Sequence, residues 1–390
     1  MTPLDVVLVV ILVAALAAGI GRGLLATLGS LVGLVLGGLA AVLIVPFVID
    51  ALPTSQWRGP VTVILAVGLP LVGASVGSGV GHGLRQQVDR TPLRPLDRLL
   101  GGFASLVVAV LAVSFVGSTI KATGMPVLAP AVSSSTVLRA IEERTPEPVR
   151  RTMAQARAAV LDDGLPQIDA LLDPRRTAVA PEVDLADPRL ETAAQSVARV
   201  WGTAYACGIS STGSGFVVAP DRVVTNAHVV AGVDQPLVEL PGRPAQEGRV
   251  VYYDTAADLA VVAVDGLDGY PLTIAPTLDT GDPAVVQGYP YGGPFTSTGG
   301  QVLDVGAVRM ATSDDSGEAE RDVYALAAEV HAGNSGGPVL SDGGEVVGVI
   351  FARSDTDDDL AYGVTTTELM PVAAQAPDLD DAVTPGRCAA

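Results

Sequence analysis

The chain contains few of the residues that define several large classes of protein. Its 390 residues include two cysteines, three histidines and 23 lysines plus arginines, of which Lys121 is the one lysine. Two cysteines exclude a small scaffold held together by several disulfides. The sequence shows no metal-ligand spacing and no Gly-rich phosphate-binding loop, so we expect no metal and no cofactor.

Basic charge is scarce where acidic charge is concentrated. Residues 201–390 carry 27 acidic and 7 basic residues, whereas the rest of the chain carries 15 and 16. Phosphate binding requires clustered cations, so this distribution excludes nucleic acid as a partner. A solvated acidic face is the simplest interpretation, and a role in tolerating acid is the alternative.

Long apolar runs, by contrast, are abundant in the first third of the chain. There are four of them: Val6–Ile20, Leu24–Ile49, Val61–Val80 and Leu99–Ile120. Each approaches the roughly 20 residues that a helix needs to cross a bilayer. We predict an all-α membrane domain of four helices in residues 1–121, with the lipid bilayer as its partner. Core helices of a soluble domain are the alternative.

The loop between the third and fourth runs sets the predicted orientation. It spans Arg85–Arg98 and is rich in arginine, and positive loops stay in the cytoplasm. The rest of the chain then lies on the extracytoplasmic side of the plasma (inner) membrane. The segment "DVVLVVILVAALAAGIGRGLLATLGSLVGLVLGG" resembles the colicin V production protein family.

Residues 122–195 differ in amino-acid composition from the segments on either side. "SSSTVLRAIEER" and "TPEPVRRTMAQARAAVLDDG" predict two short helices, the first capped by serine and the second closing near Gly164. "DPRRTAVAPEVDLADPRL" is rich in proline and charge, which indicates a linker. An ordinary spacer is the simplest interpretation of this connector, and proteolytic release of the following domain is the alternative.

Short apolar runs broken by Gly, Pro and Asp fill residues 196–390. "SGFVVAP", "RVVYYD", "DLAVVAV", "PAVVQGY" and "EVVGVIF" predict strands. Many short strands separated by turn residues are typical of an all-β barrel or sandwich. The predicted fold class is therefore a multidomain chain, with an all-α membrane domain followed by an all-β domain.

"HAGNSGGPV" places Ser335 in a glycine-rich turn, and a serine needs a base to act as a nucleophile. His331 is close in sequence, but four residues of extended chain span about 13 Å, so a structural or cleft-lining role is expected for it. His82 borders a membrane run on the opposite side. His228, at the predicted end of a strand in "TNAHVV", is the remaining histidine.

A catalytic imidazole also needs a carboxylate on its other nitrogen. Asp258 stands directly before the apolar run in "AADLAVVAV", where a buried orienting carboxylate is expected. Asp254 and Asp265 are the competing candidates, and both flank turns where solvent reaches them.

The motifs "TNAHVV", "DLAVV" and "GNSGGPV" follow one another in the order of the chymotrypsin-type serine proteases. Over residues 200–370 the chain resembles the bacterial high-temperature-requirement branch of that clan. The resemblance implies a chymotrypsin-like double β-barrel, with the substrate strand in the cleft between two six-stranded barrels. It also implies Ser335 as nucleophile, His228 as general base and then acid, and Asp258 as the orienting group.

Several further roles are expected around the nucleophile. Gly333 permits the turn that directs its own N–H and that of Ser335 at one point, an oxyanion hole. The resemblance places Glu329 near the floor of the primary specificity pocket, where a carboxylate would favour Arg or Lys in the substrate. Phe351 and Ala352 are candidates for the pocket wall, along whose edge the substrate would add as a strand.

The whole-chain arrangement resembles the family of acid-resistance periplasmic serine proteases of mycobacteria. It implies an endopeptidase acting on protein or peptide substrates of the cell envelope during acid or oxidative stress. It also implies a disulfide between Cys207 and Cys388, with two free thiols as the alternative. We expect a monomeric protease domain. A membrane scaffold or channel with a catalytically silent, peptide-binding outer domain is the alternative function.

Overall fold

The computed structural model describes residues 2–51, 68–69, 71–83, 94–122, 132, 134–161, 166–168, 183–204 and 209–386. The chain divides into two compact units, residues 1–116 and 117–390. The first unit is helical in its described part, and the second combines short helices with two β-sheets. The finer domain boundaries at residues 121 and 195 stay predictions.

Apolar helices make up the described part of the first unit. They are α1 (Pro3–Arg22), α2 (Leu24–Ala51), α3 (residues 71–83) and α4, which runs over Arg94–Ala122. Among the described residues, Pro3–Arg22 and Arg94–Gly117 are long and apolar enough to cross a membrane, by length and composition. Much of the predicted span Val61–Val80 lies outside the described residues, so the number of four membrane helices stays a prediction.

Glycines bring α2 and α3 into backbone contact. A Cβ atom built on Gly29 would lie 2.2 Å from the carbonyl oxygen of Gly77, and one on Gly33 would lie 2.0 Å from that of Gly73. No larger residue fits at these positions without moving a helix. Such close approach of small residues is how apolar helices pack when water does not drive them together.

The connector forms the two helices expected from its sequence. They are α5 (Thr136–Arg144) and α6 (Glu147–Leu161). Ser135 caps α5, since its Oγ accepts the N–H of Leu138 at 3.2 Å, and Gly164 lies outside the described residues. A two-residue strand that the sequence analysis did not predict, β1 (Gln167–Ile168), and the helix α7 (Pro188–Ala194) follow.

The strands of the first sheet are β2 (Val197–Ala204), β3 (Ile209–Ala219), β4 (Arg222–Thr225), β5 (Leu237–Glu239), β6 (Gln246–Glu247), β7 (Arg249–Asp254) and β8 (Leu259–Ala263). The sheet is antiparallel and has the order β6-β5-β2-β3-β4-β8-β7. His228 does not end a strand as predicted. The strand stops at Thr225, and His228 lies in the one-turn helix α8 (Ala227–Val230).

The second sheet closes on itself. Its strands are β9 (Pro283–Gly288), β10 (Thr296–Ala311), β11 (Glu318–Ala327), β12 (Pro338–Leu340), β13 (Val346–Ser354) and β14 (Leu360–Thr365), and the helix α9 (Thr366–Gln375) follows. The order is β13-β12-β9-β10-β11-β14, and β13 also pairs with β14. These six strands therefore form a continuous ring, to which β1 adds at the outer edge of β13.

Side chains from both sheets share one apolar cluster. Phe216 and Leu259 come from the first sheet and Val349 and Tyr362 from the second, and all four are fully buried. Burial of each such side chain stabilises the fold by about 1.5–3 kcal/mol. This cluster holds the two sheets together, so loops that leave them on the same side can meet.

Candidate active site

Asp258 and His228 form a tightly held pair. His228 Nδ1 lies 2.8 Å from Asp258 Oδ2, and the backbone N–H of His228 donates to Asp258 Oδ1 at 3.0 Å. Asp258 is 2% exposed and has a left-handed φ of 55°. A carboxylate that binds one imidazole nitrogen fixes the proton there, which leaves Nε2 as the acceptor.

The backbone just before His228 is held by hydrogen bonds to Asp258, the residue that precedes β8. The N–H of Ala227 and the side-chain amide of Asn226 both donate to the carbonyl oxygen of Asp258, at 3.2 and 2.9 Å. The register of β4 with β8 thus continues to Ala227. The chain turns at His228, whose backbone N–H donates to the carboxylate of Asp258 instead of to a strand carbonyl, and this places the imidazole beside the carboxylate.

The two competing carboxylates have other partners. Asp254 accepts the backbone N–H groups of Ala256 and Ala257 at 2.8 and 3.2 Å, which closes its own turn. Asp265 has a side chain that is 81% exposed and is paired with Arg249 at 3.0 Å. Asp258 is thus the carboxylate that the structure brings to His228.

Ser335 lies in the turn between β11 and β12 and is 2% exposed. A Cβ atom on Gly213 would meet Val229, the neighbour of His228, at 2.6 Å and the carbonyl oxygen of Ser335 at 2.9 Å. A single glycine therefore separates the helix that carries His228 from the serine turn. Nε2 of His228 is buried and has no hydrogen-bond partner among the described residues, so it is free to accept a hydroxyl proton.

Gly333 needs to be glycine for two reasons. Its φ is 94°, and a Cβ atom would lie 2.4 Å from the carbonyl oxygen of Tyr289. The carbonyl of Ala332 accepts the N–H of Tyr291. Because a trans peptide places its C=O and N–H on opposite sides, the N–H of Gly333 points away from Tyr291.

His331 and Glu329 lie together on the surface. His331 Nε2 is 3.1 Å from Glu329 Oε1, and the side chain of Glu329 is 62% exposed. The imidazole of His331 also stacks on Tyr291, with ring centroids 5.0 Å apart. These contacts fit the structural role expected for His331, and they give Glu329 a partner within the chain.

Phe351 and Ala352 are buried, with exposed fractions of 1% and 0%. The ring of Phe351 belongs to the shared apolar cluster, and the guanidinium of Arg321 lies 5.7 Å above it. Their side chains are therefore not available to line a pocket wall, and only their backbone groups lie at the edge of β13.

The end of β13 at Arg353 and Ser354 is paired with the connector. Arg353 donates its backbone N–H to the carbonyl of Pro166 at 3.1 Å, and Asp355 donates to Ile168 at 3.3 Å. The pairing of β1 with β13 is parallel. The sequence gives no indication of this contact, since a two-residue strand has no hydrophobic periodicity.

Cys207 and Cys388 lie outside the described residues, but the chain is described up to Gly386. The C-terminal tail runs along the first sheet: Val383 donates its N–H to Val250 at 2.8 Å, and Gly232 donates to Pro385 at 2.9 Å. In the described part of the chain, no group of three or more His, Cys, Asp or Glu could hold a metal ion.

Two family models match the chain. The model described as "Trypsin-like peptidase domain" matches residues 213–349. The model described as "Colicin V production protein" matches residues 4–146. Together they cover the helical unit, the first connector helix α5 and the part of the chain that contains His228, Asp258 and Ser335.

Among curated proteins, serine protease Rv3671c from Mycobacterium tuberculosis strain H37Rv is 33% identical over 322 residues, which are 79% of this chain and 80% of that protein. Protease Do-like 1, chloroplastic, from Arabidopsis thaliana is 31% identical over 129 residues, which are 32% and 29% of the two chains. The crystal structure of the Rv3671c protease in its active form superposes with a TM-score of 0.52 and 34% identity, covering 57% of this chain and 100% of that one.

Proposed function

Because the chain belongs to the serine protease family of M. tuberculosis Rv3671c, and is a serine endopeptidase of the trypsin-like class, we propose that Ser335, His228 and Asp258 form its catalytic triad. The observation that carries this proposal is the buried pair of His228 and Asp258 at 2.8 Å. The pair leaves Nε2 without a hydrogen-bond partner among the described residues, and in the proposed mechanism that nitrogen takes the proton of the Ser335 hydroxyl.

The proposed reaction begins when Ser335 Oγ attacks the carbonyl carbon of the substrate and its proton passes to His228 Nε2. The C–N bond then breaks, and His228 gives that proton to the leaving amine, which leaves an acyl-enzyme. Water repeats the sequence: His228 takes its proton, the new C–O bond forms, and Ser335 regains a proton as the acid leaves. Asp258 holds the imidazole and stabilises its charged form throughout.

The N–H groups of Gly333 and Ser335 are the proposed donors to the oxyanion. The positive φ of Gly333 and the bond between Ala332 and Tyr291 support this assignment, since they direct the N–H of Gly333 away from the Tyr291 side. Donors fixed before the reaction stabilise the developing charge without further reorganisation.

Substrate is proposed to add as a strand along β13 at Phe351–Arg353, using backbone groups. Part of this edge is occupied by β1, so an extended substrate has to displace the connector there. A preference for Arg or Lys, assigned to Glu329, requires the bond between Glu329 and His331 to open. This preference for Arg or Lys stays a prediction.

The arrangement of the protease domain as two facing barrels is also part of the proposal.

The cellular setting is also a proposal. Apolar helices and a match to the colicin V production family support membrane association. We place four helices in the plasma membrane, the protease domain outside the cytoplasm, and its action in acid or oxidative stress on envelope proteins. The disulfide between Cys207 and Cys388 stays a prediction from the sequence, because both cysteines lie outside the described residues.

The full-length protein in detergent, treated with a fluorophosphonate probe, tests the triad. We expect covalent labelling of the native chain, no labelling of Ser335→Ala and a large loss in His228→Ala. Ser316→Ala, an exposed serine in the turn between β10 and β11, should label like the native chain. Labelling that survives in Ser335→Ala would place the nucleophile elsewhere. A native chain that never labels would favour the peptide-binding scaffold.

A further inference from the structure

Ser214, in β3, bridges two loops of the candidate site with one hydroxyl group. Its side chain is fully buried. The Oγ donates to the carbonyl oxygen of Gly333 at 2.7 Å and accepts the backbone N–H of Tyr289 at 2.9 Å. A buried hydroxyl that serves as donor and acceptor at once is held in a single orientation.

The backbone of Ser214 is fixed equally firmly. Its N–H donates to the carbonyl oxygen of Ser335 at 2.7 Å, and its own carbonyl accepts the Thr225 hydroxyl at 2.7 Å. A Cβ atom on Gly336 would lie 2.3 Å from that same carbonyl. Ser214 of the first sheet thus bonds the carbonyl groups of Gly333 and Ser335, which lie on either side of Asn334 in the serine turn of the second sheet.

The two hydroxyl bonds act on both peptide groups that flank Gly333. The bond to the carbonyl of Gly333 fixes the peptide that follows it. The bond from Tyr289 anchors the turn Pro290–Gly292, in which Tyr291 donates its N–H to Ala332 and so fixes the preceding peptide. Because Gly333 has no Cβ atom to restrict it, these contacts are what select its left-handed conformation.

Tyr289 is a rigid anchor for this arrangement. Burial raises the pKa of its phenol, so the hydroxyl stays protonated, and it donates to the carbonyl of Val197 at 3.3 Å. The guanidinium of Arg199 lies 5.0 Å above the ring and donates to Gly293 at 3.0 Å. The N–H group that donates to Ser214 Oγ therefore belongs to an anchored segment.

We propose that Ser214 is a positioning residue for catalysis: its hydroxyl holds the N–H of Gly333 toward the oxygen that becomes negative in the transition state. Ser214 touches no substrate in this proposal. The inference rests on the proposed role of Gly333 as an oxyanion donor, and it adds a requirement that the triad alone does not contain.

The test is Ser214→Ala in the full-length protein, with casein as substrate and the fluorophosphonate as probe. Loss of one complete oxyanion donor lowers kcat by about 10²–10³. A donor that is present but no longer held should lose less, and we expect kcat to fall about 30-fold with KM within twofold. Labelling should slow to a similar extent and still reach the native final stoichiometry.

That final stoichiometry separates positioning from folding. If Ser214 only stabilised the fold, fewer molecules would label, and those would label at the native rate; this result overturns the proposal. Ser341→Ala is the matched control, because its Oγ accepts two backbone N–H groups, of Gly343 and Glu345, in another turn. It should keep the native kcat.

Ser214→Cys is the second variant, should the alanine variant fail to fold. The thiol fills the space but donates weakly, so an intermediate labelling rate is expected, and a native rate contradicts the proposal. Native rates in Ser214→Ala, together with no labelling of Ser335→Ala, would reject the role of Ser214 and keep the triad. Absence of labelling in the native chain would instead reject the proposed function itself.

Discussion

At the scale of single residues, Asp258 shows how one side chain fixes a reactive geometry. Both of its oxygens bind the same residue, one at the backbone N–H of His228 and one at Nδ1. A non-glycine residue with positive φ is uncommon and stores strain. Here the strain is offset by these two hydrogen bonds and by the buried strand that begins at Leu259.

Replacing Asp258 by Asn should lower kcat by about 10⁴, since the amide can donate to Nδ1 and select the wrong tautomer of His228. Hydrolysis of casein at saturating substrate measures this change. Asp265→Asn, an exposed carboxylate one strand away, is the control and should keep native kcat. Equal losses in both variants would show that acidic residues act through the general field of the domain.

Gly333→Ala and Gly281→Ala form a matched pair for a second prediction. Both glycines have positive φ, 94° and 98°, but a Cβ atom on Gly281 meets nothing within 4 Å. Gly281→Ala should lower the free energy of unfolding by about 1–2 kcal/mol and leave kcat unchanged. Gly333→Ala should abolish hydrolysis, because its Cβ atom also collides with Tyr289. Denaturant unfolding and casein hydrolysis check the pair, and native activity in Gly333→Ala would contradict it.

At the scale of elements, β13 is longer than the strand beside it. β12 pairs with it as far as Val349, and Gly336 and Gly337 bond the backbone of Ile350, so the strand edge extends beyond its neighbour from Phe351 onward. Unpaired strand edges attract other extended chains. The connector supplies one through β1, so the same edge serves both the chain itself and the proposed substrate.

Changing Pro166, Gln167 and Ile168 together to Gly should weaken this pairing and lower KM for casein roughly fivefold, since each hydrogen bond that the substrate no longer displaces contributes about 1 kcal/mol. The rate of fluorophosphonate labelling should stay native, because the small probe does not reach Arg353. Leu185→Gly, an exposed residue of the same connector, should leave KM unchanged. An unchanged KM in the triple variant would show that substrate does not use this edge.

At the scale of the whole molecule, the predicted topology places the protease domain outside the cytoplasm and the loop Arg85–Arg98 inside it. In a Cys207→Ser, Cys388→Ser background, Ser316→Cys should react with a membrane-impermeant maleimide on intact spheroplasts. Gln87→Cys, in the Arg-rich loop, should react only after lysis, because positive loops stay in the cytoplasm. The reverse pattern would invert the proposed orientation.

Prediction from the sequence succeeded best where a pattern is local. The run "RVVYYD" coincides with β7, and Ser135 caps the helix that its position indicated. It failed for β10, whose 16 residues contain several glycines and no sustained apolar run. It also failed for His228, whose helical turn depends on backbone bonds to Asp258, 30 residues away.

The sequence by itself determined the apolar helical unit, the β-rich unit and the three candidate catalytic residues, because hydrophobic period, turn residues and motif order are written along the chain. Only the tertiary structure decided the bond between Ser214 and Gly333, the pairing of β1 with β13 and the partner of Glu329. Two of these contacts join residues that are far apart in sequence. The third, between Glu329 and His331, depends on which way the two side chains point from the backbone. Their energies arise from burial and hydrogen-bond geometry, which exist only once the two sheets have packed together.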